Sequence, residues 1–236
     1  MGISFISGVP ALMMGRERLV VVGDLHIGIE EKYSQSGIAF PNAARRTGAE
    51  IRRLCEGNNA RGVVLLGDVK HSLGNLARIE REELVQFFGE LRGMDIFVAK
   101  GNHDAYLGDM LSSMNIEAHI SKEIMFPGIA LMHGNSMPSE EAVMKRYMIC
   151  GHAHLAARVN GIDRKVWMVA PCGPGMKEGY SKYNKRIKLV VAPAFNRLIT
   201  GSRIGSQTEG HLPFLNNRLF DFPRAKVYDL DGNELE

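Results

Sequence analysis

With 236 residues, 45% hydrophobic and 23% charged, the chain has the balance of an ordinary globular protein and enough length to bury a core. Its net charge of +3 and pI near 8.8 admit an anionic substrate without demanding one, since nucleic-acid binders are told by clustered charge and not by the total. Cys55, Cys150 and Cys172 form no CxxC pair, which argues against a disulfide framework and fits free thiols in a reducing cytosol.

The opening stretch MGISFISGVPALMMGRERL places its charges after its apolar part, the reverse of a signal peptide, and Ile6 breaks the myristoylation pattern. No apolar run approaches the roughly eighteen residues of a membrane span. The expected location is the cytoplasm. In chain order a unit then recurs: a short β-branched run, a glycine, then acid or histidine. LVVV (19–22) leads into GDLH, VVLL (63–66) into GDVKH, IFVA (96–99) into KGNHD, and YMIC (147–150) into GHAH. Runs of this length bounded by glycine predict buried strands. Between the first three lie two helical patterns. Pro41–Gly57 has a proline at a helix start and Ala44, Ile51 and Leu54 at helical spacing. Ala77–Gly93 carries Ile79, Leu84, Phe87, Phe88 and Leu91 among charged residues. Strand–helix–strand alternation predicts a mostly parallel sheet, with functional residues on the loops at the carboxyl ends of its strands. All four polar clusters fall on such loops.

The second half reads as strands in IEAHI (116–120), IALM (129–132), KVWMVA (165–170) and IKLVVA (187–192), with a terminal hairpin around the DG of RAKVYDLDGNELE (224–236). Residues 201–223 lack a pattern and are expected to be irregular. A second, partly antiparallel sheet packed on the first would use these strands. No linker divides the chain, so a single domain over 1–236 is expected.

Asp24, His26, Asp68, Asn102, His133, His152 and His154 bring together two carboxylates, four imidazoles and an amide oxygen. This N/O set suits Mn, Fe, Zn, Co or Ni; it is wrong for Ca and lacks the thiolates of a structural zinc site. Seven donors are too many for one catalytic ion and suit two that share a carboxylate. Such a pair can bind both ends of a phosphodiester. Taken singly, an aspartate after a strand is a turn or a cap, and an HxH a surface or core feature. No structural need repeats the arrangement on four strand ends.

The blocks GDLH (23–26), GDVKH (67–71), GNHD (101–104), HG (133–134) and GHAH (151–154) resemble, complete and in order, those of the calcineurin-like metallophosphoesterases. The resemblance implies a four-layer α/β fold, a two-sheet β-sandwich flanked by helices, around two divalent metals. It implies that Asp24, His26 and His154 hold one metal, that Asn102, His133 and His152 hold the other, and that Asp68 bridges. His103 matches the histidine that contacts the phosphate and protonates the leaving oxygen or stabilises the transition state. DLHIGIEEKYSQSGIAFP (24–41), CGHAH (150–154) and VVAPAFNRLITG (190–201) are similar to the ligase-associated, PdeM-like group of predicted DNA-repair enzymes. HGN at 133–135 departs from the HGH of many relatives; the first histidine carries the ligand role.

His71 stands where phosphoprotein phosphatases have an aspartate, as in the GDxxH of the double-strand-break repair nuclease branch. Its imidazole is expected to reach the substrate phosphate or position His103; the alternative is a cap on the following helix. Asp104 is expected to brace His103 or to cap the next helix. The segment MKEGYSKYNKRIK (176–188) sets five basic residues against one acid. As a loop near the site, it would offer Lys182, Tyr183, Lys185 and Arg186 to a nucleic-acid backbone and an unstacked base; a solvated hairpin is the alternative. RRTGAEIRR (45–53) reads as an exposed helix face.

The expected activity is therefore metal-dependent phosphodiester hydrolysis, most simply by a Mn-dependent nuclease in DNA processing or repair. The rival substrate is a small cyclic nucleotide, and a non-catalytic scaffold is disfavoured because His103 and every ligand are kept. A homodimer and DNA-repair partners are compatible with the resemblance, and no membrane is implied.

Overall fold

The computed structural model describes residues 2–34, 36–74, 78–199, 201–204 and 212–235. A first sheet holds β1 (Ile3–Phe5), β2 (Leu12–Met14), β3 (Leu19–Val22), β4 (Gly62–Leu65), β5 (Asp95–Ala99) and β6 (His119–Ser121), in that order. β1 and β2 pair antiparallel with their neighbours, while β3 to β6 run parallel. β3 and β4 are buried at every position, which is why they read as continuous apolar runs and not as alternation.

A second, mixed sheet of seven strands contains β7 (Glu123–Phe126), β8 (Ile129–Met132), β9 (Tyr147–Cys150), β12 (Trp167–Pro171), β13 (Lys188–Val191), β15 (Lys226–Tyr228) and β16 (Glu234–Leu235). β10 (Leu155–Val159), β11 (Ile162–Lys165) and β14 (Ser202–Arg203) form a small third sheet. The expected strand over 165–170 is two strands in two sheets. Lys165 ends β11 and Trp167 starts β12, because Lys165 turns aside to donate to two carbonyls of the 194–196 loop. The expected strand over 116–120 forms only from His119.

Helices α1 (Glu30–Ser34), α2 (Ala43–Gly57), α3 (Arg78–Glu90) and α4 (Leu107–Ser113) belong to the first half of the chain; α5 (Glu140–Val143), α6 (Met176–Gly179) and α7 (Pro213–Asn216) belong to the second. Three apolar layers result. Val20, Val63, Val98, Ile51 and Phe87 pack the first sheet against α2 and α3. Leu19, Val64, Leu131, Ile149 and Trp167 fill the space between the sheets. Met148, Leu189, Val143, Met176 and Phe214 close the outer face of the second sheet. The expected sandwich flanked by helices is the observed one.

On α2 the buried residues Ala44, Gly48, Ile51 and Cys55 lie at helical spacing, and the arginines of 45–53 face outward or tie to α3, as Arg45 does to Glu90 at 2.8 Å. On α3 one expectation fails. Ile79 is 56% exposed and Glu80 is buried in its place, because the Glu80 carboxylate accepts the amides of His71 and Ser72 at 3.0 and 2.9 Å. A carboxylate with that task has to face the core side of its helix. Ala77 and residues 205–211, parts of segments discussed above, lie outside the described residues. The rest of 201–223 holds β14, α7 and a short 3-10 turn over Phe222–Arg224. Among the described residues no helix is long and apolar enough to cross a membrane.

Candidate active site

The parallel registers put Val22, Leu65 and Ala99 at one end of the first sheet and Met132, Cys150 and Val191 at one end of the second. The loops leaving β3, β4, β5, β8 and β9 therefore converge, and all seven donors predicted from the sequence meet there. Glycine permits the approach. A Cβ on Gly101 would come within 2.3 Å of Asp68 Oδ1, so this residue supplies room as well as the turn, which the Asp104 N–H closes on the Gly101 carbonyl at 3.3 Å. Gly67, at φ +77°, supplies both.

Asp24, His26 and His154 present one group of donor atoms within 4.8 Å of one another, and Asp68, His133 and His152 present another. In the first, His154 Nε2 stands 3.1 Å from Asp24 Oδ1. In the second, His133 Nε2 lies 3.1 Å from Asn102 Oδ1, 3.3 Å from Asp68 Oδ2 and 2.9 Å from His152 Nδ1. Asp68 Oδ2 is also 3.6 Å from His26 Nε2, which puts this carboxylate between the groups. Its other oxygen accepts the His103 amide at 2.9 Å. His133 Nδ1 donates to the Leu66 carbonyl at 2.8 Å, so in the neutral ring the lone pair is on Nε2, facing the cluster. His26 Nε2 and His154 Nε2 are buried without a hydrogen-bond partner. Buried polar atoms are rarely left so, and two such imidazole nitrogens facing carboxylates are donors that fit a divalent cation.

Electrostatics in the metal-free protein follow the same division. Burial pushes His26 and His152 down to about 4. It opposes charge on His133 as well, but the Asp68 hydrogen bond and the nearby Asp24 outweigh it and lift His133 to about 9. Burial would raise Asp24 and Asp68; the imidazoles of His154 and His133, respectively, hold both below the usual carboxylate range.

His103 Nδ1 donates to the backbone carbonyl of His71, and its Nε2 lies 3.9 Å from Asp68 Oδ2. His71 thus reaches His103 through its backbone, while its ring turns to His26, with Nδ1 to Nδ1 at 3.4 Å. The helix-cap alternative is reversed: Glu80 of α3 caps the backbone of His71. Asp104, fully buried, accepts from Gly101 and Val69 amides at 2.9 Å and from Lys70 at 3.4 Å, fastening the GNHD loop to the GDVKH loop. It does not cap α4, whose N-cap is Tyr106 without a side-chain bond.

The basic segment is elsewhere. It joins Pro171 to Lys188, which pair at the end of the second sheet opposite His133 and His152. Tyr180 bonds the Pro138 carbonyl, Asn184 bonds the Val143 and Lys145 carbonyls, and Tyr183 packs in the outer apolar layer. The expectation that Lys182, Tyr183, Lys185 and Arg186 belong to a loop near the site is corrected: the antiparallel β12–β13 pairing returns the chain to the far end. Three residues near the cluster were missed: Glu80, Lys165 and Asn196. Burial lowers Lys165 to about 8. None of the three has a local signal, since each acts on backbone distant in sequence.

The model of the calcineurin-like phosphoesterase family matches residues 17–170, more than half of the chain. The chain belongs to the calcineurin-like phosphoesterase family. Members hydrolyse phosphate esters with divalent metals, and the His/Asp groups described above are the places that could hold them here. Among solved structures, the nuclease MPE of Pseudomonas putida is similar over 98% of both chains, with a TM-score of 0.63 and 18% identity. That likeness is one of fold. YfcE, a phosphoesterase from E. coli, is 14% identical over 92% of this chain and 96% of its own, at a TM-score of 0.41. No curated protein matches the sequence.

Proposed function

We propose that the protein is a binuclear metal-dependent phosphodiesterase acting on nucleic acid, a nuclease that works as a single domain in the cytoplasm. The observation that carries the proposal is the position of Asp68 between two donor sets, Asp24, His26 and His154 on one side and His133 and His152 on the other, with imidazole nitrogens turned inward. Asp24, His26 and His154 would hold one ion, Asn102, His133 and His152 the other, and Asp68 both; Mn suits this donor set. When bound, such ions activate a water and neutralise charge on the phosphate oxygens.

The remaining chemistry belongs to the chain. The His71 carbonyl accepts a hydrogen bond from His103 Nδ1–H, which leaves Nε2, on the side of the cluster, as the nitrogen that would carry a proton to the leaving oxygen. His71 turns its ring to His26 and its carbonyl to His103, and thereby orients one ligand and the acid together. Asp104 keeps the loop of Asn102 and His103 in register with the loop of Asp68. Lys182, Tyr183, Lys185 and Arg186 are left out of the reaction, given where their segment is anchored. A nuclease is favoured over a cyclic-nucleotide enzyme because the rim is open: Asn102 is exposed, and no separate domain covers it among the described residues.

The test is a matrix of metals against substrates on chelator-stripped protein. The substrates are linear and circular DNA, RNA, 2′,3′- and 3′,5′-cyclic nucleotides, and a chromogenic diester. Activity should be absent without metal, return with Mn, and favour a nucleic acid. Asp68→Asn and His103→Ala should each lower turnover by about 100-fold or more. Full turnover in both variants would end the proposal; preference for a cyclic nucleotide would reassign the substrate.

A further inference from the structure

Segment 190–201, VVAPAFNRLITG, contributes no donor to the cluster, yet it wraps the loop that presents Asp24 and His26. Beyond β13 the chain crosses to the first sheet. There Phe195 N–H donates to the Gly23 carbonyl at 2.8 Å and Asn196 N–H to the Asp24 carbonyl at 3.4 Å. Asn196 Nδ2 donates to the Leu25 carbonyl at 2.6 Å. Three successive carbonyls of the GDLH loop are thus held by two successive residues. The Asn196 amide is itself oriented, since its Oδ1 accepts the Leu198 N–H at 2.8 Å.

This crossing is fastened from the third sheet. Lys165 Nζ donates to the carbonyls of Ala194 and Asn196 at 2.7 and 2.5 Å. A few residues on, Ser202 N–H donates to the His154 carbonyl at 2.8 Å. Residues 194–196 and Ser202 therefore grip both loops that supply Asp24, His26 and His154. Those loops need gripping: the three residues hold φ of 55°, 43° and 45°, conformations that persist in L-residues only where the surroundings impose them. Around the other group, Leu66 holds His133 and Asp104 holds the loops of Asp68 and Asn102, while His152 shares the GHAH loop with His154 and donates its N–H to the Asp24 carboxylate.

We infer that Lys165 and Asn196 are positioning residues: through residues 194–196 they hold the Asp24–His26–His154 group directly, and its neighbour only by way of the loop that carries His152, in the geometry that takes a divalent cation. This rests on the two-metal proposal above. Asn196→Asp is the sharpest variant. It keeps the acceptor for Leu198 and replaces the donor to Leu25 with a second carboxylate oxygen. Lys165→Met removes both bonds to the crossing at similar length, and Lys165→Arg keeps a cation able to donate to two carbonyls.

The experiment is calorimetric titration of metal-free protein with Mn, with the Co absorption spectrum as a second readout. The wild type should take up two equivalents. Asn196→Asp and Lys165→Met should each weaken one equivalent by about 10- to 100-fold, the usual effect of losing a residue that orients a metal ligand. The other equivalent should change much less, and Lys165→Arg should recover part of the loss. Two equivalents of wild-type affinity in both variants, or equal weakening of both, would overturn the inference and leave the two-metal proposal standing. A wild type that takes fewer than two equivalents would overturn that proposal, and this inference with it. Should Lys165→Met fail to fold, Asn196→Asp decides, with its thermal unfolding measured beside it.

Discussion

Asp24, His26, Asp68, His152 and His154 all sit in left-handed backbone, at φ of 55°, 43°, 47°, 68° and 45°. A non-glycine residue there gives up about 1–2 kcal/mol relative to right-handed backbone. Five such residues in one cluster are a concentration of strain where loops must present side chains to a common centre. Bonds such as His152 N–H to Asp24 at 3.1–3.2 Å help to hold it. The donors themselves were legible because they fall in short glycine-containing blocks at strand ends, GDLH, GDVKH and GHAH. The strain was not, because aspartate and histidine tolerate left-handed backbone without requiring it. It can be measured at His154, whose side chain is partly exposed. In metal-free protein with chelator, His154→Gly should be more stable to urea than His154→Ala by about 1 kcal/mol, since alanine pays for positive φ and glycine does not. Equal stability, or a more stable alanine variant, would show that this backbone stores no strain.

Among elements, those with local periodicity were read correctly and those shaped by distant partners were not. β3, β4, β5 and α2 carry their pattern within a dozen residues. By contrast, the inward turn of Glu80 depends on amides of the preceding loop, and the break at Val166 depends on carbonyls some thirty residues onward. Glu80 has company. Glu30 of α1 and Glu83 of α3 lie beside it, and each of the three has a buried Oε2 with no hydrogen-bond partner. Burial, then Glu30 and Glu80, raise Glu83 to about 7. The folded protein therefore binds a proton that the unfolded chain, with an ordinary value of 4.5, releases sooner. Stability from this carboxyl is fully present below pH 4.5 and is lost as pH rises through 7. Glu83→Gln should make the metal-free protein more stable than wild type at pH 8, with the difference shrinking toward pH 5, by urea unfolding at both. A difference that is constant with pH would mean that Glu83 titrates normally in the fold.

For the whole molecule, the site lies across the sandwich. The first sheet supplies Asp24, His26, Asp68, Asn102 and His103; the second supplies His133, His152 and His154. A cation held between them is linked to folding, because the unfolded chain offers no assembled site. At a free concentration 100 times its dissociation constant, one ion adds about 2.7 kcal/mol. For a domain of this size that is a rise in Tm of roughly 5–11 °C. pH should set how much of this is realised. In the metal-free protein His133, raised to about 9, keeps a proton at neutral pH in its contact with Asp68 and Asp24. That pairing stabilises the fold fully below pH 6.5 and is lost as pH climbs through 9. A metal must expel the same proton to reach Nε2, whereas His26 and His152, at about 4, are already neutral. Raising the pH therefore weakens the metal-free state and favours the loaded one. The increase in Tm on adding Mn should widen from pH 6.5 to pH 8.5. Calorimetry at pH 7 in two buffers of different ionisation enthalpy should register release of the His133 proton, with a further contribution from His154, which, against burial, Asp24 also holds above its ordinary value. A Tm shift that stays constant or narrows with pH, with no proton released, would rule out His133 as the protonated ligand and with it the exchange of proton for metal between the sheets.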